Sequence, residues 1–161
     1  MIGPRRRARE IALSVLHAMD VSPEVPVEVA LSRTFEHFFG PAAGERAPAD
    51  EDDGFGSGEL VNVRPDRALV EELVRGVGAR KEELDATLTR LSRNWRIERM
   101  AVVERNIMRL ALWELLHAPA VPINVVINEA IELAKRFGTA EGAAFVNGIL
   151  DRAVTELEIR R

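Results

Sequence analysis

Four arginines close to the amino terminus are the side chains best suited to chemistry with a charged ligand. They fall in the segment RRRARE, residues 5–10, as Arg5, Arg6, Arg7 and Arg9. Guanidinium groups match phosphate oxygens in shape and charge, and affinity built from several such contacts falls steeply with salt. A solvated basic tail is the alternative, and composition alone leaves the two interpretations evenly balanced.

The charge of this segment contrasts with that of the whole chain. The 161 residues contain 22 Lys and Arg against 26 Asp and Glu, a net charge of −4. A basic coat over the whole surface is therefore excluded, whereas a local basic patch is not. A helix is predicted from about Pro4, and its dipole disfavours cations at that end, so helix stability does not explain the arginines.

No sequence motif for catalysis or cofactor binding occurs in the chain. It lacks the phosphate-cradling GxxxxGK[ST], the zinc motif HExxH and the nucleophile motif GxSxG. Cysteine is absent, and the histidines at 17, 37 and 117 are too far apart in sequence for a local metal motif. We therefore expect a protein that is not an enzyme and that holds no metal or cofactor.

Composition favours an all-α protein with a core of its own. The chain is 47% hydrophobic, rich in Leu, Ala, Glu and Arg, and has no tyrosine. No apolar run approaches the roughly 20 residues that cross a bilayer. The basic start is not followed by the apolar region of a signal peptide. We expect a cytoplasmic protein that makes no use of a membrane.

Apolar residues recur at helical spacing in six segments. The predicted helices begin near Pro4 and then cover 27–40, 65–93, 97–117, 124–137 and the segment after Thr139. Gly76 and Gly78 are expected to kink or divide the third helix, and Gly138 to cap the fifth. Thr139 is expected to cap the start of the last helix. Residues 40–59, rich in Gly, Pro and acid, are predicted to form a mobile loop.

The segment 97–117 carries charged residues on or beside its apolar face. Glu104 and Glu114 fall within or at the edge of that face, where a carboxylate is costly unless it has a partner. An internal pair with an arginine, such as Arg109 or Arg152, is the favoured interpretation for Glu114. On the opposite side of this helix we expect a stripe formed by Glu98, Arg105 and Arg109. This stripe would contact phosphate, a partner's carboxylate or solvent.

Two residues of the last helix invite a functional interpretation beside a structural one. Phe145 could stack on an unpaired base, but its apolar neighbours favour a place in the core. Gly148 lies within the helical pattern, where glycine costs about 1 kcal/mol relative to alanine. Close helix packing is the favoured reason for it, and close approach of a ligand is the other.

Three segments in order carry a resemblance to a known family. They are VVERNIMRLALWELL at 102–116, VPINVVINEAIELAKRFG at 121–138 and FVNGILD at 145–151, preceded by RRRARE. With these motifs the chain resembles the NusB family of bacterial transcription antitermination factors. The resemblance extends from residue 5 to about 153 and fails over 40–59.

The resemblance implies a fold and a set of partners. The fold is all-α, with about seven helices in two perpendicular subdomains of one domain, at about 1–92 and 93–161. The ligand is the single-stranded boxA element of ribosomal RNA leader transcripts, bound together with NusE, a protein of the small ribosomal subunit. That complex joins NusA, NusG and RNA polymerase and suppresses premature termination.

Site residues are carried over from the family by matching positions. The four arginines match its arginine-rich RNA-binding motif, and Glu141 and Phe145 match positions near the RNA path. The surface shared by RNA and NusE is matched by Glu98, Glu104 and Arg109, with His17 assigned to the same surface. His17 stands where relatives carry an aromatic residue, and Asn106 replaces a small apolar one. The acidic loop at 40–59 is longer than expected and should point away from the arginines.

Two alternatives remain beside an antitermination adaptor. One is a NusB-like RNA-targeting module of an RNA methyltransferase, which would need a catalytic domain downstream of Arg161. The other is a helical homodimer whose interface hides the arginines, so that RNA binding depends on protein concentration.

Overall fold

A computed structural model describes residues 3–40, 64–93 and 97–161. These ranges contain no strand, so the all-α prediction is confirmed. Most of the predicted loop at 40–59 lies outside the described residues. The helices are α1 (Pro4–Val21), α2 (Val27–Phe39), α3 (Arg67–Ala79), α4 (Lys81–Leu91), α5 (Val102–His117), α6 (Ile123–Phe137) and α7 (Gly142–Glu156). None of them is long and apolar enough to cross a membrane.

The chain forms two compact units, Met1–Val74 and Arg75–Arg161. The subdomains that the resemblance implies, at about 1–92 and 93–161, stay a prediction, whereas the boundary between the two units lies within α3. A connection inside a helix leaves no linker of distinct composition, so the sequence carries no signal for it.

The first unit is organised by α1, which packs against α2. Pro4 occupies the first turn of α1, where its missing N–H costs nothing. The start of α3 is capped by Asp66, whose Oδ1 accepts a hydrogen bond from the Leu69 N–H at 3.1 Å. The Asp66 N–H donates to the Pro4 carbonyl at 3.2 Å and so holds the first turns of α1 and α3 side by side.

The second unit is built around α5, which packs against α4, α6 and α7. Every residue from 106 to 115 is buried. A helix that is buried all round must pair its own polar side chains, which directs attention to its glutamates and arginines.

Two predicted helices are interrupted. The helix predicted over 65–93 divides at Arg80, two residues after Gly78. Gly76 serves packing instead, since a Cβ there would overlap the indole of Trp113. The helix predicted over 97–117 begins only at Val102, after a 3₁₀ turn at Ile97–Arg99. The Ile97 carbonyl accepts the Met100 N–H and the Arg105 guanidinium, so it does not take the bond that would continue a helix.

The predicted reason for Gly148 is wrong. It is exposed, and a Cβ built on it would meet nothing within 4 Å, so close helix packing does not require glycine there. Gly142, at the first residue of the same helix, is the opposite case, because a Cβ there would overlap Glu104 Oε1.

Gly148→Ala is expected to raise the free energy of unfolding by about 0.5–1 kcal/mol, because alanine removes the conformational cost of a helical glycine. Urea denaturation measures the change, and Gly142→Ala serves as the matched control that should lower stability. Destabilisation by Gly148→Ala would contradict the open position assigned to it.

Candidate nucleic-acid interface

The four arginines of α1 differ in exposure. Arg5 is exposed and Arg6 is half-buried. Arg7 is only 14% exposed, pairs with Glu10 at 2.9 Å, and has its guanidinium carbon 5.2 Å from the centroid of Phe38. Arg9 is 3% exposed. Arg5 and Arg6 are therefore the most accessible of the four arginines to a phosphate chain on the protein surface.

Glu104 is the buried carboxylate at the start of α5, and it has the partner that its place on an apolar helix face predicts. It is 4% exposed, and its Oε1 accepts the Thr139 backbone N–H at 2.7 Å and the Thr139 hydroxyl at 2.9 Å. Thr139 therefore holds α5 rather than capping α7, so the prediction of a Thr139 cap is wrong. The residue before α7 is Glu141, which makes no side-chain cap.

Two glycines leave room for this carboxylate. Gly138 ends α6 as predicted, with an extended backbone rather than a left-handed one. A Cβ on Gly138 would lie 2.9 Å from Glu104 Oε1, and one on Gly142 would overlap the same atom. The turn between α6 and α7 thus fits closely around the Glu104 side chain.

A cavity of about 200 Å³ opens beside this turn. Its lining brings together three of the predicted site residues, Glu104, Glu141 and Phe145. Glu141 is exposed, Phe145 is half-buried rather than in the core, and Glu104 Oε2 accepts no hydrogen bond from the described residues. The remaining lining residues are Arg99, Met100, Ala101, Thr139 and Gly142.

Arg109 lies in the interior instead of forming a stripe with Glu98 and Arg105, so that prediction is wrong. It is 4% exposed and makes a bidentate pair with Asp85 of α4, at 2.6 and 2.8 Å. Asn106 accepts a further Arg109 N–H at 3.0 Å, which explains a polar residue at a buried position. Arg109 therefore joins α4 to α5 in the interior, and its assignment to the surface shared by RNA and NusE stays a prediction.

The other predicted surface residues belong to different elements. Glu98 is exposed in the 3₁₀ turn, and His17 is half-buried on α1. Glu114 is buried, and its predicted arginine partner stays a prediction. Arg152 donates to the Leu91 carbonyl.

Sequence reasoning missed Arg99 and Thr139 as part of the cavity. Apolar periodicity predicts that Arg99 lies on a continuous helix over 97–117. In the structure this helix is interrupted at Ala101, and Arg99 lines the cavity. Thr139 carried the ordinary signal of a helix cap, which concealed its role as a donor to Glu104. The carboxylate on an apolar helix face was the available signal, because it demanded a donor from another element.

The chain matches the model of the NusB family over residues 6–155. It is 44% identical over 154 residues to the transcription antitermination protein NusB of Desulforudis audaxviator, covering 96% of this chain and 95% of the relative. It is 43% identical over 157 residues to the protein of the same name from Anaeromyxobacter dehalogenans, with 98% and 94% covered.

Solved structures show the same fold. T. maritima NusB aligns with a TM-score of 0.74 and 31% identity, covering 97% of this chain and 94% of that one. A structure of NusB and NusE in complex with dsRNA aligns with a TM-score of 0.69 and 22% identity, covering 94% and 96%.

These relatives define a class of all-α transcription antitermination proteins that are not enzymes. The chain belongs to the NusB family, and the predicted family and fold class are confirmed.

Thr139→Val is expected to lower the free energy of unfolding by about 1 kcal/mol, because Glu104 Oε1 loses one of its two donors in a buried position. Thr139→Ser should keep the hydroxyl and most of the stability. Thr155→Val, which removes an exposed hydroxyl from α7, is the matched control. If urea denaturation gives equal stabilities for the two valine variants, the role assigned to Thr139 is wrong.

Proposed function

We propose that this NusB-family protein acts in antitermination by binding the single-stranded boxA element of ribosomal RNA leader transcripts. The observation that carries the proposal is the arginine cluster of α1, where Arg5 is exposed and Arg6 half-buried on a chain of net charge −4. A local positive site on an acidic protein attracts a polyanion to one place rather than to its whole surface.

Phosphate contacts at Arg5 and Arg6 supply affinity without sequence information. Arg7 supports them from a fixed position, because its pair with Glu10 holds its side chain against α1 and α2. Arg9 lies too deep to be a first contact for phosphate, so its assignment to RNA depends on a rearrangement of α1.

The cavity beside the α6–α7 turn is the proposed site of base recognition. The half-buried ring of Phe145 lines the cavity as an aromatic surface on which an unpaired base can stack. Glu104 Oε2 is buried and accepts no hydrogen bond from the described residues, so it becomes an acceptor for a base amino or imino group only when the cavity lining moves to expose it. Glu141, exposed at the edge of the cavity, is a second acceptor. Carboxylate acceptors in the cavity favour bases that carry N–H donors. The cavity would therefore supply the sequence preference that phosphate contacts to the arginines cannot.

NusE is the proposed protein partner, with exposed Glu98 and half-buried His17 as candidate contacts. The relative whose solved structure contains NusE and dsRNA has the same fold as this chain. In the proposed assembly NusA, NusG and RNA polymerase complete the antitermination complex. Because the proposed role is on nascent transcripts, we assign the protein to the cytoplasm.

Arg5→Glu/Arg6→Glu is expected to weaken binding of boxA RNA by about tenfold or more at low salt and to flatten the slope of log K against log salt by about one to two units. Filter binding or fluorescence anisotropy over a salt series, with and without NusE, measures both quantities. A scrambled RNA of equal length reports the part of the affinity that carries no sequence information.

Arg33→Glu/Arg90→Glu is the matched control, since it makes the same charge change at two exposed positions on α2 and α4. It should retain the wild-type slope. If both double variants bind boxA RNA as tightly as the wild type, the arginines of α1 are a solvated tail and the proposed phosphate contact is refuted.

A further inference from the structure

We propose that the aromatic face of α2 and Arg67 form a second RNA contact, at which a base stacks beside the phosphate held by the arginines of α1. This inference rests on the proposed RNA-binding function and adds a site to it. Neither the arginine-rich segment nor the α7 cavity contains these residues.

The placement of Arg67 follows from the contact between two helix starts. The hydrogen bond from the Asp66 N–H to the Pro4 carbonyl sets Arg67, the next residue of α3, near Arg5, the next residue of α1. Both side chains are exposed. A phosphate chain that reaches Arg5 is therefore within reach of Arg67 as well.

Three phenylalanines of α2 share one helix face. Phe35, Phe38 and Phe39 are spaced i, i+3 and i+4, and the rings of Phe35 and Phe39 meet edge to face at 5.5 Å. Phe35 is buried, whereas Phe38 and Phe39 remain half-buried. The outer part of this aromatic face is thus accessible to a ligand.

Arginines from two other helices lie over these rings. The Arg67 guanidinium carbon is 4.2 Å from the Phe35 centroid and 6.0 Å from that of Phe39, and Arg7 approaches Phe38. Significant cation–π contacts occur roughly once per 70–80 residues, so this cluster within one short helix is dense. We call the surface formed by Arg67, Phe38 and Phe39 the aromatic–arginine face.

This chemistry suits a single-stranded nucleic acid. Bases stack on aromatic rings and on guanidinium planes, and a guanidinium held against a ring loses little freedom when a base joins it. The same arginine donates to a phosphate from its edge. Because stacking uses the face of a base rather than its edge, the contact should tolerate any base.

The test is an abasic scan of boxA RNA, in which each base in turn is removed while its phosphate is kept. For wild-type protein, at least one abasic position should weaken binding about 5- to 20-fold and yet be insensitive to Phe145→Leu. In Phe38→Leu/Arg67→Lys, which keeps the apolar side chain and the charge, the same abasic position should cost less than about twofold.

Two controls keep the result interpretable. Phe38→Tyr preserves a stacking ring, so its loss of affinity at each abasic position should equal that of the wild type. Arg33→Lys changes an exposed arginine of α2 that lies on the helix side away from Phe35, and it should leave the profile unchanged. Thermal denaturation of each variant establishes that α2 is still folded.

Three outcomes would overturn the inference. The first is equal weakening of intact and abasic RNA by Phe38→Leu/Arg67→Lys, so that each abasic position costs as much as it does in the wild type, which would mean that no base is contacted. The second is an effect of this variant on NusE binding alone, which would make the face a protein interface. The third is a wild-type scan in which no abasic position weakens binding. The salt series on Arg5→Glu/Arg6→Glu then tells whether only this second contact is refuted or the proposed RNA binding as a whole.

Discussion

The buried carboxylate of Glu104 is the constraint on which the carboxy-terminal unit depends. An acceptor that is 4% exposed must find donors inside the protein, and Thr139 supplies both its backbone N–H and its hydroxyl. Gly138 and Gly142 leave the space that the side chain fills. The contact therefore fixes the turn between α6 and α7, and with it the positions of Glu141 and Phe145 at the cavity.

A second buried polar cluster performs the corresponding task between α4 and α5. Asp85 and Asn106 together satisfy three N–H groups of the Arg109 guanidinium. Removing one partner of such a pair leaves an uncompensated charge in the interior, which is far more costly than losing a surface ion pair. The arginines of this protein thus divide between buried residues that join helices, as at Arg109, and exposed residues, as at Arg5, which we propose to contact phosphate.

The sequence predicted most of the helices, because apolar periodicity reports which face of each segment is buried. It also indicated that Glu104 needs a partner, since a carboxylate on an apolar face is costly. It could not identify Thr139 as the donor, because that contact joins residues 35 positions apart and competes with the ordinary cap interpretation. The break before Val102 was equally hidden, since it depends on what the Ile97 carbonyl accepts. Burial of Arg9 and Arg109 could not be predicted from charge, which normally favours solvent.

We propose that the arginines of α1 hold phosphates, whereas the cavity beside Phe145 distinguishes bases. The most direct measurement is the affinity ratio of boxA RNA to scrambled RNA at fixed salt, for wild type, Phe145→Leu and Arg5→Glu/Arg6→Glu. We predict that Phe145→Leu lowers the ratio about tenfold with an unchanged salt slope, because a base that is no longer stacked is not held against the acceptor Glu141, whereas the arginine variant weakens both RNAs alike. A ratio that survives Phe145→Leu but collapses in the arginine variant would contradict it.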